Sequence, residues 1–235
     1  MEDKNLKQPR RDFLGTLAAG ATAMGMATIV SPLSAAAEKL NVHGSAYPDD
    51  ADAWFNKVTG KHKIIFDVTR PNGVLPFAWP RVFLMTNAAT GTPDKDNSVV
   101  VVLRHDGIPY AFNDDMWSKY NFGKVFKANV PMTQDPATKN VFWKPAPGTF
   151  NIPGVGPVEI GIDQLMASGV MFCVCAVAIQ VYSAAVAGPN GDAAAIKKDW
   201  MANLLPGIQV VPSGVWAVGR AQEKGCAYCF AGDPE

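Results

Sequence analysis

The chain has 235 residues, 48% of them hydrophobic and 18% charged, with 21 basic and 21 acidic side chains. This is the composition of one soluble, neutral globular domain. Zero formal net charge excludes an electrostatically driven nucleic-acid binder, which needs a basic face to neutralise phosphates. Four cysteines are too few for a disulfide scaffold of this length.

The first 37 residues differ from the rest. Met1 to Asp12 carries Lys4, Lys7, Arg10 and Arg11, and the 25 residues from Phe13 to Ala37 carry no charge. Basic, then apolar, then small residues is the order of an export signal, and Ser34-Ala35-Ala36-Ala37 fits cleavage after Ala37. The run Arg10-Arg11-Asp12-Phe13-Leu14 resembles a twin-arginine (Tat) signal. Gly15, Gly20, Gly25 and interspersed threonines dilute the apolar stretch below the roughly 20 solidly apolar residues of a membrane anchor, the alternative reading. The resemblance implies the Tat export machinery as a partner, membrane contact only during export, and a periplasmic mature chain. That chain, from residue 38, keeps 17 basic and 18 acidic groups, a net charge of −1.

Residues 38–60 read as an N-terminal arm, with a turn at Tyr47-Pro48-Asp49-Asp50 capping a short helix at Ala51–Phe55. Strands are expected at Lys63–Val68, Asn97–Arg104, Gly169–Cys175, Ile208–Val211 and Cys226–Phe230, because short β-branched or apolar runs fit strands buried on both faces of a parallel sheet. Helices are expected at Leu75–Ala88, Ile160–Ser168, Ala176–Ala187, Ala193–Leu204 and from Pro212-Ser213-Gly214 to Lys224. Pro80 is expected near a helix N-terminus, where its missing N–H costs little. Alternating strands and helices predict an α/β sandwich with a mainly parallel sheet covered on both faces.

The run Leu204-Leu205-Pro206-Gly207-Ile208-Gln209-Val210-Val211-Pro212-Ser213-Gly214-Val215, followed by Arg220-Ala221-Gln222-Glu223-Lys224-Gly225-Cys226-Ala227-Tyr228, resembles the end of a DsrE-like (DsrE/DsrF/TusD) domain. The upstream strands agree in order, and the resemblance spans about residues 61 to 235. It implies a three-layer α/β/α sandwich with a five-stranded, mainly parallel sheet, assembly into a homo-oligomer, and sulfane sulfur carried as a cysteine persulfide. The implied partners are a sulfur donor or acceptor protein. No cofactor and no metal site are expected.

Cys175 sits where a strand gives way to a helix, at the carboxyl edge of the sheet where reactive groups collect. The N–H groups and positive end of that helix favour a thiolate; the alternative is an inert buried thiol. The resemblance implies the same residue as sulfur acceptor. Cys173 shares its face, with α-carbons about 6.5 to 7 Å apart, at the edge of disulfide reach, and reads as core filling or as a resolving thiol if the strand bends. Cys226 and Cys229 form a C-x-x-C, suggestive of thioredoxin-type chemistry or half a zinc site. On a strand, however, residues three apart face opposite ways. Here the chain departs from the family, which usually has apolar or aromatic residues at both positions. A four-thiolate metal site would require the two cysteine-bearing strands to be neighbours, and an oxidising compartment leaves a disulfide within the set open. His105, at a strand end before Asp106-Gly107, is a base or ligand-orienting residue if its strand adjoins that of Cys175; otherwise it is a loop histidine.

Between these elements lies an insertion at about 108–157. From Tyr110 to Phe150 it holds nine of the chain's 23 aromatic residues. So many rings must be buried, in a subdomain, in a lid over the crevice, or in a subunit interface. Trp117 and Trp143 are the candidate lid residues, and Asn113 offers an N-cap to a helix there. Two functions remain: a periplasmic sulfur-relay protein with Cys175 as carrier, sulfurtransferase-like in its chemistry, and a non-catalytic binding or assembly module of the same fold. No P-loop, G-x-G-x-x-G, H-E-x-x-H or Ser-His-Asp signature adds an independent enzyme signal.

Overall fold

A computed structural model describes residues 51–233. The twin-arginine residues Arg10 and Arg11, the cleavage position Ala37 and the turn at 47–50 lie outside the described residues. Five strands form one sheet: β1 (His62–Val68), β2 (Asn97–Leu103), β5 (Met171–Cys175), β6 (Gln209–Val211) and β7 (Ala227–Phe230). Their order is β6-β5-β2-β1-β7, and every pairing is parallel. The chain steps outward from β1 through β2 and β5 to β6, then crosses back to place β7 on the far side of β1.

Side-chain alternation divides the strands between two cores. Phe66, Val68, Val99, Val101, Leu103, Phe172, Val174 and Val210 enter the larger one. Ile65, Val100, Val102, Cys173 and Val211 enter the smaller one. The larger core is covered by α2 (Leu75–Ala89), the insertion, α5 (Ile162–Ala167), α6 (Ala176–Ala187) and α7 (Ala193–Ala202). The smaller is covered by α8 (Gly214–Glu223), together with α1 (Ala51–Trp54) and the 3-10 turn that follows it. The protein is thus an α/β domain whose five-stranded parallel sheet is flanked by helices on both faces. Phe55 is fully buried and meets Trp216 edge-on at 5.9 Å, so the described end of the N-terminal arm is part of the smaller core.

One local expectation fails. Pro76 occupies the start of α2, while Pro80 lies inside it and is buried. Pro80 forgoes the i→i−4 bond to the Pro76 carbonyl, and the helix continues through it because Phe77, Ala78 and Pro80 are buried against the sheet.

The insertion folds down onto the larger core. Its first residues close the 3-10 stretch His105–Ala111, and it continues with α3 (Asp114–Tyr120), α4 (Phe122–Val125) and a small antiparallel hairpin of β3 (Asn151–Ile152) and β4 (Gly156–Pro157). Asn113 caps α3 by accepting the Met116 N–H at 3.3 Å. Tyr110, Phe112, Trp117, Phe122, Phe126, Phe142 and Phe150 are all buried, and Phe142 stacks on Phe150 at 5.1 Å. Asn140, 1% exposed, fastens the insertion: its Nδ2 donates to the carbonyls of Tyr110 and Phe112, each at 3.0 Å, and its Oδ1 accepts the Phe142 N–H at 3.2 Å. Among the described residues, no helix is long and apolar enough to cross a membrane.

Candidate functional site

A crevice of about 240 Å³ opens at the carboxyl edge of the sheet, lined by Arg104, His105, Cys175, Val177, Ala178, Val181, Tyr182, Ser213, Gly214 and Val215. Two helices start there. Cys175 ends β5 and is itself the N-cap of α6, its Sγ accepting the Ala178 N–H at 3.3 Å. Ser213 is the N-cap of α8, its hydroxyl accepting the Trp216 N–H at 3.2 Å. Cys175 is 6% exposed and lines the opening.

Opposing effects act on that sulfur. Burial pushes the Cys175 thiol up, while the N–H groups of Ala178, Gly214 and Val177 and the charge of Arg104 pull it down; burial wins, and the thiol is held above its ordinary value. The helix start therefore does not by itself produce the low-pKa thiolate that the sequence position suggests, because the same fold that supplies the N–H groups also removes water.

Arg104 follows β2 and continues its ladder, its N–H donating to the Val68 carbonyl at 3.0 Å. The last paired rung between β2 and β5 is Leu103 with Val174, so Arg104 and Cys175 are the next residues along adjacent strands. The guanidinium grips Asp67 at the end of β1 through two bonds, Nε to Oδ1 at 2.6 Å and Nη2 to Oδ2 at 2.8 Å. Asp67 Oδ2 also accepts the Tyr228 hydroxyl of β7 at 2.8 Å. Burial first, then this bond to Asp67, pushes the Tyr228 phenol up to about 12.

His105 joins Cys175 in the crevice because β2 and β5 adjoin. Its backbone is left-handed, φ 50°, uncommon for a residue with a side chain. The imidazole stands at the rim, 58% exposed, with Nδ1 3.2 Å from Asp106 Oδ2 and 3.5 Å from the Tyr182 hydroxyl. Tyr182 donates to Asp106 Oδ1 and packs on Phe126 of the insertion, with ring centroids 4.9 Å apart.

Comparison of the chain with protein-family models, with curated proteins and with solved structures returned no match.

The remaining sequence candidates lie elsewhere. Trp117 is 1% exposed, its Nε1 donating to the Pro109 carbonyl at 3.0 Å, so it is a core residue of the insertion. Trp143 lines a separate cavity of about 550 Å³ with Lys144 and Phe150. Neither tryptophan lines the Cys175 crevice. All four cysteines are free thiols. Cys173 is buried in the smaller core, where burial raises its thiol strongly. Cys226 packs in the smaller core and Cys229 against the larger one, on opposite faces of the sheet. Strands β2 and β1 separate β5 from β7, so the two cysteine pairs do not meet. Among the described residues, no group of three His, Cys, Asp or Glu is placed to hold a metal.

Sequence reasoning passed over Arg104, Asp67, Tyr228, Tyr182 and the role of Gly214. One signal was present: Asp67 is a carboxylate inside the otherwise apolar run Ile64–Val68, and a charge buried in a strand needs a partner.

Proposed function

We propose that the protein is an exported DsrE-like sulfur carrier that holds sulfane sulfur as a persulfide on Cys175. The observation that carries this reading is the placement of Cys175: a thiol at the carboxyl edge of a parallel sheet, capping α6 and opening into a crevice beside Arg104. In the loading step the Cys175 thiolate attacks the outer sulfur of a donor such as thiosulfate. A new S–S bond forms, the donor's S–S bond breaks, and sulfite leaves with the electron pair. In the delivery step an acceptor thiolate attacks the outer sulfur and Cys175 departs as a thiolate. A bound sulfur would stand about 2 Å beyond Sγ. The twin-arginine-like start supports periplasmic placement, and the exposed Val181 and Val215 at the crevice mouth support docking of a second protein or subunit there.

The second reading, a binding module that keeps the fold without sulfur transfer, is favoured by the raised Cys175 thiol. Mass spectrometry of the purified protein after incubation with polysulfide or thiosulfate separates the two. A gain of one sulfur, mapped to Cys175 and lost in Cys175→Ser, is the expected result. An unmodified Cys175 under both donors rejects the carrier reading.

A further inference from the structure

Asp67 is the one charged side chain among the described residues that is buried, 1% exposed. Stability alone does not account for it, since a buried ion pair is often no better than apolar residues of the same volume. What the pair does achieve is orientation. Nε and Nη2 of Arg104 are both committed to the carboxylate, and the two parallel bonds fix the plane of the guanidinium. Tyr228, on the edge strand, holds the same carboxylate from the other side. Among the described residues, Nη1 of Arg104 has no hydrogen-bond partner, on a side chain that lines the crevice with Cys175. Asp67, Arg104 and Cys175 thus stand at the ends of β1, β2 and β5, three adjacent strands, at one edge of the sheet.

We propose that Asp67 is a positioning residue that clamps Arg104 so that its charge bears on the Cys175 sulfur, with Tyr228 bracing the clamp. For its purpose this rests on the sulfur-carrier reading, because thiolate and persulfide are the anions that the charge would stabilise. The clamp itself is testable on the bare thiol.

The test is the pH–rate profile of Cys175 alkylation by iodoacetamide, mapped by peptide mass spectrometry, in the wild type, Asp67→Asn, Arg104→Gln and the double variant. Positioning predicts that Asp67→Asn moves the alkylation midpoint upward and slows the reaction at neutral pH about three- to tenfold, the effect of roughly half to one pH unit in thiol ionisation. Arg104→Gln does the same, and the double variant matches Arg104→Gln alone, because Asp67 acts only through Arg104. A downward midpoint in Asp67→Asn means that loss of a negative charge outweighs loss of orientation, and overturns the proposal. So does an unchanged midpoint, or an Asp67→Asn effect that persists in the Arg104→Gln background. Should Asp67→Asn fail to fold, Tyr228→Phe takes its place, with a smaller upward shift expected in the wild-type background and none in the Arg104→Gln background; any other pattern counts against the clamp. No sulfur donor is added, so a protein that never accepts sulfur would fail the mass test above and still pass this one.

Discussion

Gly214 lies so close against the stem of Arg104 that a β-carbon built on it would come within 2.6 Å of Arg104 Cδ. The first residue of α8 is therefore glycine for reasons of space, and the same contact keeps the start of α8 against the crevice. Gly214→Ala must push either the helix or the arginine aside. The expected cost is about 1–3 kcal/mol, read from urea denaturation, together with altered alkylation kinetics at Cys175. Wild-type values for both would show that the approach is looser than the geometry indicates.

The thiols give the protein an alkaline weakness. Burial raises Cys175 above its ordinary value and pushes Cys226 up to about 11. A thiol that ionises less readily folded than unfolded contributes stability that is fully present below the unfolded value of about 8.5 and is lost as pH climbs through the folded one. Unfolding midpoints recorded from neutral pH to about pH 11 should decline over that window. Cys226→Ala should flatten the decline while lowering the neutral plateau; a decline of unchanged slope would assign it to other groups.

Asn140 offers a sharper test of the insertion. Asn140→Ala strands two carbonyls and an N–H in the core, at a cost of at least about 2 kcal/mol. Asn140→Asp should be worse at neutral pH, since a carboxylate would face the Tyr110 and Phe112 carbonyls that now accept from Nδ2, and it should recover partly in acid as the carboxyl regains a donor. Equal stability of the two variants at all pH values would contradict the hydrogen-bond assignment.

The two tryptophans should behave differently. Trp117→Ala removes a fully packed ring and its bond to Pro109, and is expected to cost about 3–5 kcal/mol. Trp143→Ala, partly exposed beside its own cavity, is expected to cost about 1 kcal/mol or less. Sedimentation of Trp143→Ala against the wild type then asks whether that surface serves assembly, free of any folding defect.

Much of this fold was legible because its signals are local. The valines of Asn97–Leu103 and the apolar run ending at Cys175 announce strands buried on both faces, and Pro212-Ser213-Gly214 announces the start of α8, which begins at Gly214 with Ser213 as its cap. Strand ends put Cys175 and His105 at one edge on condition that their strands adjoin, and the β2–β5 pairing meets that condition. What stayed hidden depends on pairing. Nothing near Asp67 in the chain specifies Arg104, 37 residues away, or Tyr228, 161 residues away; only the order β5-β2-β1-β7 joins them. The aromatic insertion was legible in part, since packing, lid and interface were all open to its rings. Its composition demands burial, but the rings find that burial in the domain's own core, leaving the crevice open.

Helix α6 carries no charged residue along its whole length, and Val181 on its outer face is 56% exposed. A macromolecule approaching Cys175 across this face meets no charged side chain of α6, and the Arg104 charge in the crevice is paired with Asp67. Encounter should then proceed at the unsteered rate of about 10⁵–10⁷ M⁻¹s⁻¹ and change little with ionic strength. Selectivity at such a surface resides in residence time, so substitutions at Val181 should alter dissociation and leave association nearly constant.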